Sequence, residues 1–282
     1  MYQGFYNLTS GMLTQSRNLN VISNNMVNIQ TAGYKSDTMV STTFQEEMLI
    51  RTGAQYKENA QPLATTSKIK AADRTYTNYV QGSFDQTEGV FDFALSGNGF
   101  FCVQTADGER YTRNGAFYVD QEGYLSLAEA GRVLSVDNQP ILITDENFNV
   151  DERGNITALI QTGETDADDD YGYGEYGEDE GGASGLEQVS FGQLKVVDFA
   201  DYNQLHKEDN GLFSTGQAQT LLNQPDAPQT PVLWKMLEKS NVNMVQEMTS
   251  MMSAQRALQS AAQVLKMYDQ VMSKASSEVG RL

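Results

Sequence analysis

Apolar residues recur every seven positions at both ends of the chain. Near the start, Phe5, Met12, Leu19 and Met26 form one stripe, and Leu8, Gln15, Ile22 and Ile29 occupy the complementary positions. That is an a/d heptad over four repeats with one polar interruption, Gln15, and it predicts a helix over 2–30. Near the end, Leu237, Met244, Met251, Leu258, Leu265 and Met272 repeat at seven without a break and predict a helix over 233–275. Its second seam position stays open: Asn241, Met248, Gln255, Ala262 and Asp269 at i+4, or Ala254, Ala261 and Tyr268 at i+3. Two such helices point to a coiled-coil pair or a helical assembly surface.

Between the helices the period changes to two. Segments such as Phe91–Leu95, Phe100–Gln104, Arg110–Arg113, Ala116–Val119, Tyr124–Leu127, Ile141–Ile143, Ile156–Ile160 and Gln193–Phe199 read as strands. Asp107-Gly108, Asn114-Gly115, Glu122-Gly123 and Arg153-Gly154 separate them and supply the positive φ values of tight turns. Short strands at this spacing predict a mainly β central domain, an antiparallel sandwich or partial barrel, with helical ends. The five prolines all lie within 62–231, and all twelve methionines lie outside 49–235. The expected division is therefore 1–61 for the N-terminal helix and a connecting segment, 62–231 for the β-rich domain, and 232–282 for the C-terminal helix.

Of the net charge of −18, half is local. The run Glu164–Gly182 holds nine acids and no base, leaving 28 acids and 19 bases elsewhere. Its composition cannot repay the entropy of ordering, so an acidic, mobile loop insertion is expected over 163–185. The overall charge excludes a basic nucleic-acid footprint and disfavours anionic membrane surfaces. No apolar run is long enough to span a bilayer, and no cleaved leader is expected at the front.

Candidate chemistry fails on inspection. An EF-hand frame started at Asp166 or Asp168 puts Tyr171 or Tyr173 where the turn glycine belongs. Gly97-Asn98-Gly99 opens a dinucleotide-like motif, but Cys102 replaces the third glycine and a strand follows where a helix is needed. Cys102, the only cysteine, alternates with aromatics and reads as a buried hydrophobe. His206, the only histidine, sits in a polar stretch without a nucleophile motif. No catalytic residue, metal or cofactor is expected, and the chain does not read as an enzyme.

Specific words along the chain nevertheless match a known pattern. Ser23–Lys35 closely resembles the N-terminal signature of flagellar rod and hook proteins, carried by Asn25, Asn28, Thr31, Gly33 and Tyr34, with Val27 where alanine is usual. Leu237–Asn243, with Ser240, Asn241 and Val242 at its centre, followed by Glu247-Met248 and then Gln255 and Arg256, resembles the C-terminal signature. Leu95–Phe101 and Tyr111–Phe117 resemble the β-domain of basal-body rod proteins, and Phe44–Arg51 leans toward the proximal-rod type. Ala257-Leu258 departs from the pattern, in which alanine and an aromatic are common, while Leu258 keeps the heptad.

The resemblance implies a structural subunit of the bacterial flagellar basal-body rod, which polymerises into a helical tube and transmits torque from motor to hook. The terminal helices would form an inner coiled-coil layer, the β-domain the outer wall. The implied partners are further copies, other rod and hook subunits and the flagellar type III export apparatus, with the product outside the cytoplasmic membrane. A hook or other axial subunit shares the terminal signatures. A cell-wall-binding or hydrolytic β-domain is a remote third reading. The assembly interface is expected on Phe5, Leu8, Met12, Leu19, Ile22, Met26 and Ile29, and on Leu237, Met244, Met248, Met251, Leu258, Leu265 and Met272. The acidic insertion would lie on the exposed outer face and keep finished surfaces from sticking.

Overall fold

A computed structural model describes residues 2–51, 61–144, 147–161, 186–225 and 227–279. The chain forms two units, one made of 1–80 and 240–282, the other of 81–239. The second is thus inserted in the sequence of the first. These divisions fall after Val80 and Lys239, against 61 and 231 in the sequence pattern. The acidic run Glu164–Gly182 lies outside the described residues.

In the first unit the heptads become helices α1 (Tyr2–Val27) and α2 (Met244–Val279), with a 3₁₀ turn at Asn28–Gln30 continuing α1. The helices pack on each other and run antiparallel: Asn25 meets Glu247 at one end, and Leu8 and Gly11 share a cavity with Ala261 toward the other. Ile22 is buried, and Phe5, Leu8, Met12, Leu19, Met26 and Ile29 are half-buried. On α2 the seam takes the i+3 alternative. Ala254 is buried and Met251, Leu258, Ala261, Leu265, Tyr268 and Met272 are half-buried, whereas Met248, Gln255 and Asp269 are exposed.

One expectation needs correction here. Residues 233–243 are not helical, and Leu237 lies in a strand. The seven-residue spacing continues through it by sequence alone, but pairing with strands near residue 85 competes successfully for the backbone.

After α1, within the same unit, the chain forms a ribbon that the hydrophobic pattern does not announce: β1 (Asp37–Arg51) and β2 (Gln61–Thr77), paired antiparallel from Asp37↔Thr77 to Arg51↔Gln61. Its strands are rich in threonine and serine, so the two-residue alternation carries little contrast in hydrophobicity.

The second unit contains β3 (Phe84–Gln86), β4 (Phe93–Leu95), β5 (Phe100–Thr105), β6 (Gly108–Thr112), β7 (Phe117–Val119), β8 (Leu125–Leu127), β9 (Gly131–Val133), β10 (Phe148–Val150), β11 (Asn155–Gln161) and β12 (Leu186–Gln193). It continues with β13 (Val196–Asp198), β14 (His206–Lys207), β15 (Leu212–Ser214), β16 (Thr220–Leu221), β17 (Val232–Trp234) and β18 (Met236–Glu238). The principal sheet runs β14-β15-β6-β5-β9-β8-β7, with β13 joining β5 to β16. Strands β10-β11-β12 form a second sheet, and the pairs β17-β4 and β18-β3 bring the end of the unit back to its beginning. All described pairings are antiparallel, as the turn signals predict. Asp107 lies in the tight turn joining β5 to β6, and Gly108 follows at φ 115°. Ile141–Ile143 forms no named strand; it makes the isolated bridge Tyr124↔Leu142, with backbone hydrogen bonds between Ile141 and both Leu125 and Val133 and between Ile143 and Gly123.

The core of this unit is one apolar cluster that includes Phe93, Phe101, Leu125, Val133, Ile156 and Val196, each essentially without exposure. Gly115, in the rod-like word Tyr111–Phe117, sits where chain passes against chain: a Cβ would lie 1.8 Å from the carbonyl oxygen of Phe93. Buried charges are paired. Arg113 donates to Glu238 (3.4 Å) and to the carbonyl of Gly97 (2.7 Å), and Glu238 accepts from the amide of Gly82 (2.9 Å). Lys195 donates to Glu109 and Asn138, both at 2.6 Å. Cys102 is fully buried, and burial pushes its thiol pKa well up, as befits an inert hydrophobe. His206 is exposed on β14.

Candidate functional site

The two terminal signatures meet in space. Asn25, in the last turns of α1, is 1% exposed and uses all four of its hydrogen-bonding positions. Its amide nitrogen donates to the carbonyl of Asp37 (2.8 Å) and to Glu247 Oε1 on α2 (3.1 Å). Its oxygen accepts from the amide of Asp37 (2.9 Å) and from the Tyr34 hydroxyl (3.2 Å). One side chain therefore ties the end of α1 to the base of the ribbon and the start of α2.

Asn241 does the same from the other signature. Its oxygen accepts from the amide of Ser36 (2.7 Å), and its nitrogen donates to the carbonyls of Asn78 (2.7 Å) and Val80 (2.9 Å). The Lys35 ammonium, 1% exposed, also donates to the Val80 carbonyl (3.1 Å). Thr77 donates to Asp37 Oδ1 (2.7 Å), closing the ribbon's first pair.

The local turns explain the other signature residues. Asn28 donates to the carbonyl of Asn24 and accepts from the Thr31 hydroxyl (3.2 Å), winding α1 down through its 3₁₀ turn. Gly33 then adopts φ 67°, in the left-handed region where L side chains are strained, and turns the chain into β1. Tyr34 is buried, and burial together with the nearby Asp37 carboxylate pushes its pKa up to about 12. Ser240 accepts from the Val242 amide (3.3 Å), and Val242 is buried.

Of the predicted signature residues, the structure brings Asn25, Asn28, Thr31, Gly33, Tyr34, Ser240, Asn241 and Val242 into this junction. Gln255 and Arg256 stand outside it, exposed on α2. Glu247 and Asn243, which the C-terminal signature contains, also belong to the junction, as do Ser36 and Asp37, which the pattern does not single out. Asn243 had a readable signal: its side chain accepts from the amides of Val245 and Gln246, an N-cap at the start of a helix. Glu247 also favours that helix start, as a carboxylate in the first turn. No signal of spacing could announce the Asn25–Glu247 contact, which spans 222 residues.

The outward faces of the helices carry apolar side chains. Tyr6, Leu13 and Val27 are exposed on α1, and Met244, Val245, Met248, Met252, Val264, Met267 and Val271 on α2. At 100° per residue, Val245, Met248 and Met252 flank the α2 seam on one side, whereas Val264, Met267 and Val271 flank it on the other. Among the described residues no helix is long and apolar enough to cross a membrane, and no cluster of His, Cys, Asp and Glu has the arrangement of a metal site.

Comparison with known proteins agrees with this geometry. The family "Flagella basal body rod protein" matches residues 5–35, "Flagellar hook protein FlgE/F/G D1 domain" matches 94–158, and "Flagellar basal body rod FlgEFG protein C-terminal" matches 235–278. The chain is similar to the flagellar hook-basal body complex protein FlhO of Bacillus subtilis, at 29% identity over all of both chains. It is also similar to the flagellar basal-body rod protein FlgG of Bacillus subtilis, at 28% identity over 96% of this chain and 97% of the relative. With the flagellar basal-body rod protein FlgF of Caulobacter vibrioides it shares 30% identity, over 97% of this chain and 95% of the relative. With its terminal signatures joined in one junction and its relatives matched end to end, the chain belongs to the flagellar basal-body rod protein family and is a structural subunit of the rod.

Proposed function

We propose that the chain polymerises through its helical hairpin into the wall of the rod, with other rod and hook subunits continuing the same helical layer. The terminal helices form the inner coiled-coil layer of this tube, the β unit is carried outside it, and torque passes from motor to hook through the polymer. The observation that carries this reading is the pair of exposed apolar flanks on α2. A helix that only closed its own unit would need one apolar face. Here Val245, Met248 and Met252 on one flank, and Val264, Met267 and Val271 on the other, remain exposed after α1 is in place. Two different flanks suit two different neighbours, and contacts between unlike surfaces repeat into open filaments. Methionine suits such contacts because its flexible thioether adapts to slightly different surroundings.

The role is structural, with no enzymatic step and no cofactor. The subunit reaches its place outside the cytoplasmic membrane through the flagellar type III export apparatus.

Truncation tests the assembly reading. The C-terminal cut belongs after Lys239, because a cut before residue 235 would also remove β18 and Glu238, the buried partner of Arg113. Chains lacking 1–30 or 240–282 are expected to keep the β unit folded and to fail to enter rods when expressed in cells lacking the full-length chain. Truncated chains recovered in purified basal bodies would refute the role of the helices.

A further inference from the structure

Beside the helical seam, Leu8, Gly11, Thr14 and Gln15 of α1, Ser41 of β1 and Ala261 of α2 line a cavity of 230 Å³. Two of its features have no explanation within the chain. The Gln15 side-chain oxygen is buried without a hydrogen-bond partner, a costly state for an amide acceptor. Gly11 lies in the interior of α1, where glycine weakens a helix relative to alanine. Yet a Cβ at Gly11 would meet nothing within 4 Å. Packing inside the unit does not call for glycine there. Open approach from outside does.

We propose that this cavity is a socket between copies of the chain, filled by the Tyr6 side chain of a second copy with its hydroxyl donating to the Gln15 side-chain oxygen. The proposal rests on the polymer reading above. The cavity is several times the roughly 30 Å³ share of one water, on the scale of a single aromatic ring. The socket lacks a donor, and tyrosine brings a donor at the tip of an apolar body. Tyr6 is 63% exposed, against 43% for Tyr76 and 46% for Tyr118, and it lies on the same helix as the socket.

The relative placement sets the kind of contact. Five residues along α1 turn Tyr6 about 140° from Gly11. A chain cannot fill its own socket, and knob and socket occupy different faces. The contact is therefore heterologous, and its repetition extends a filament instead of closing a dimer. Leu13, 57% exposed and one heptad beyond Tyr6, continues the knob face.

The native cysteine is fully buried, so introduced surface cysteines can be oxidised without competition. The full-length chain is prepared with Tyr6→Cys and Gly11→Cys, separately and together, and linked species are read on non-reducing gels while polymer is read by sedimentation. The double variant is expected to give a ladder of linked multimers, because the two positions point apart on one helix and cannot bridge within a chain. A mixture of the two single variants should stop at linked dimers. Tyr6→Phe and Gln15→Leu should each raise the concentration at which polymer appears by about tenfold. Their combination should be no worse than either alone, and circular dichroism should match the parent chain. Absence of the ladder at a concentration where the double cysteine variant itself sediments as polymer overturns the socket, as does Tyr6→Phe polymerising like the parent. A ladder from a chain that forms no sedimenting polymer supports the socket and overturns the polymer reading instead.

Discussion

The helical unit and the β unit bury different things. In the β unit the buried side chains are overwhelmingly apolar, led by Phe93, Phe101, Leu125 and Ile156, and its few buried charges are paired. In the helical unit, among the described residues, Thr14, Asn25, Lys35 and Ser36 are buried alongside Ile22, Tyr34, Val242 and Ala254, and most of the seam is only half-buried. The β unit is stabilised chiefly by removing apolar surface from water, which needs no particular partner beyond its own chain. The helical unit depends on a few directional hydrogen bonds at one end and a narrow seam along its length. That combination fixes an orientation while leaving apolar faces for neighbours.

The contrast can be tested because its two halves report separately. The single tryptophan, Trp234, lies in the β unit and donates its indole N–H to the Val90 carbonyl (2.7 Å), whereas the long helices dominate the helical far-ultraviolet signal. The largest effect is expected from Phe101→Ala, which empties a fully buried site packed edge-on against Phe117. It should cost about 4 kcal/mol in urea unfolding followed by tryptophan fluorescence, with the helical transition unmoved. Equal displacement of both signals would show that the units unfold as one.

Next comes Glu238→Ala. It strands the Arg113 guanidinium, whose pKa burial already lowers, and should cost about 3 kcal/mol by the same tryptophan signal. A variant close to the parent would mean that solvent reaches Arg113 and that the pair does not hold β18 in place.

Asn25→Ala should act on the other side of the comparison. It removes the acceptor of the Asp37 amide and one hydrogen-bond partner of the Tyr34 hydroxyl and should cost about 2 kcal/mol, read in the helical signal and absent from tryptophan fluorescence. If the loss appears in fluorescence instead, the junction is not confined to its own unit.

The last test is alkaline. Burial raises Tyr34 and Tyr79 in the helical unit, and Tyr111 in the β unit, to about 12 from an ordinary 10.0. Between these values the unfolded chain releases protons that the folded chain retains, so stability is full below about pH 10 and falls as pH rises toward 12. The helical signal should weaken more, with two such tyrosines against one among the described residues, and Tyr34→Phe should reduce its pH dependence. An unchanged slope in that variant would place the proton elsewhere.

Much of this organisation is legible in the sequence where the signal is local. The heptad from Phe5 to Ile29 corresponds to α1 and its 3₁₀ turn, and Asp107-Gly108 marks the turn between β5 and β6. The ribbon of β1 and β2 escapes because threonine and serine blur its alternation. Leu237 misleads because its spacing fits the heptad while its backbone pairs with Asp85. On α2 both second-seam alternatives carry apolar residues, and the choice between Met248 and Ala254 depends on how closely α1 approaches.

The sequence by itself determined the helical periodicity of the two ends, the hairpin turns of the middle and the family words, because each depends on neighbours along the chain. Tertiary structure alone decided what those words do. Asn25 and Glu247, 222 residues apart, become partners only when two antiparallel helices and the base of a ribbon converge. A hydrogen bond of that span leaves no periodic trace in the sequence, since its geometry is set by packing and not by spacing.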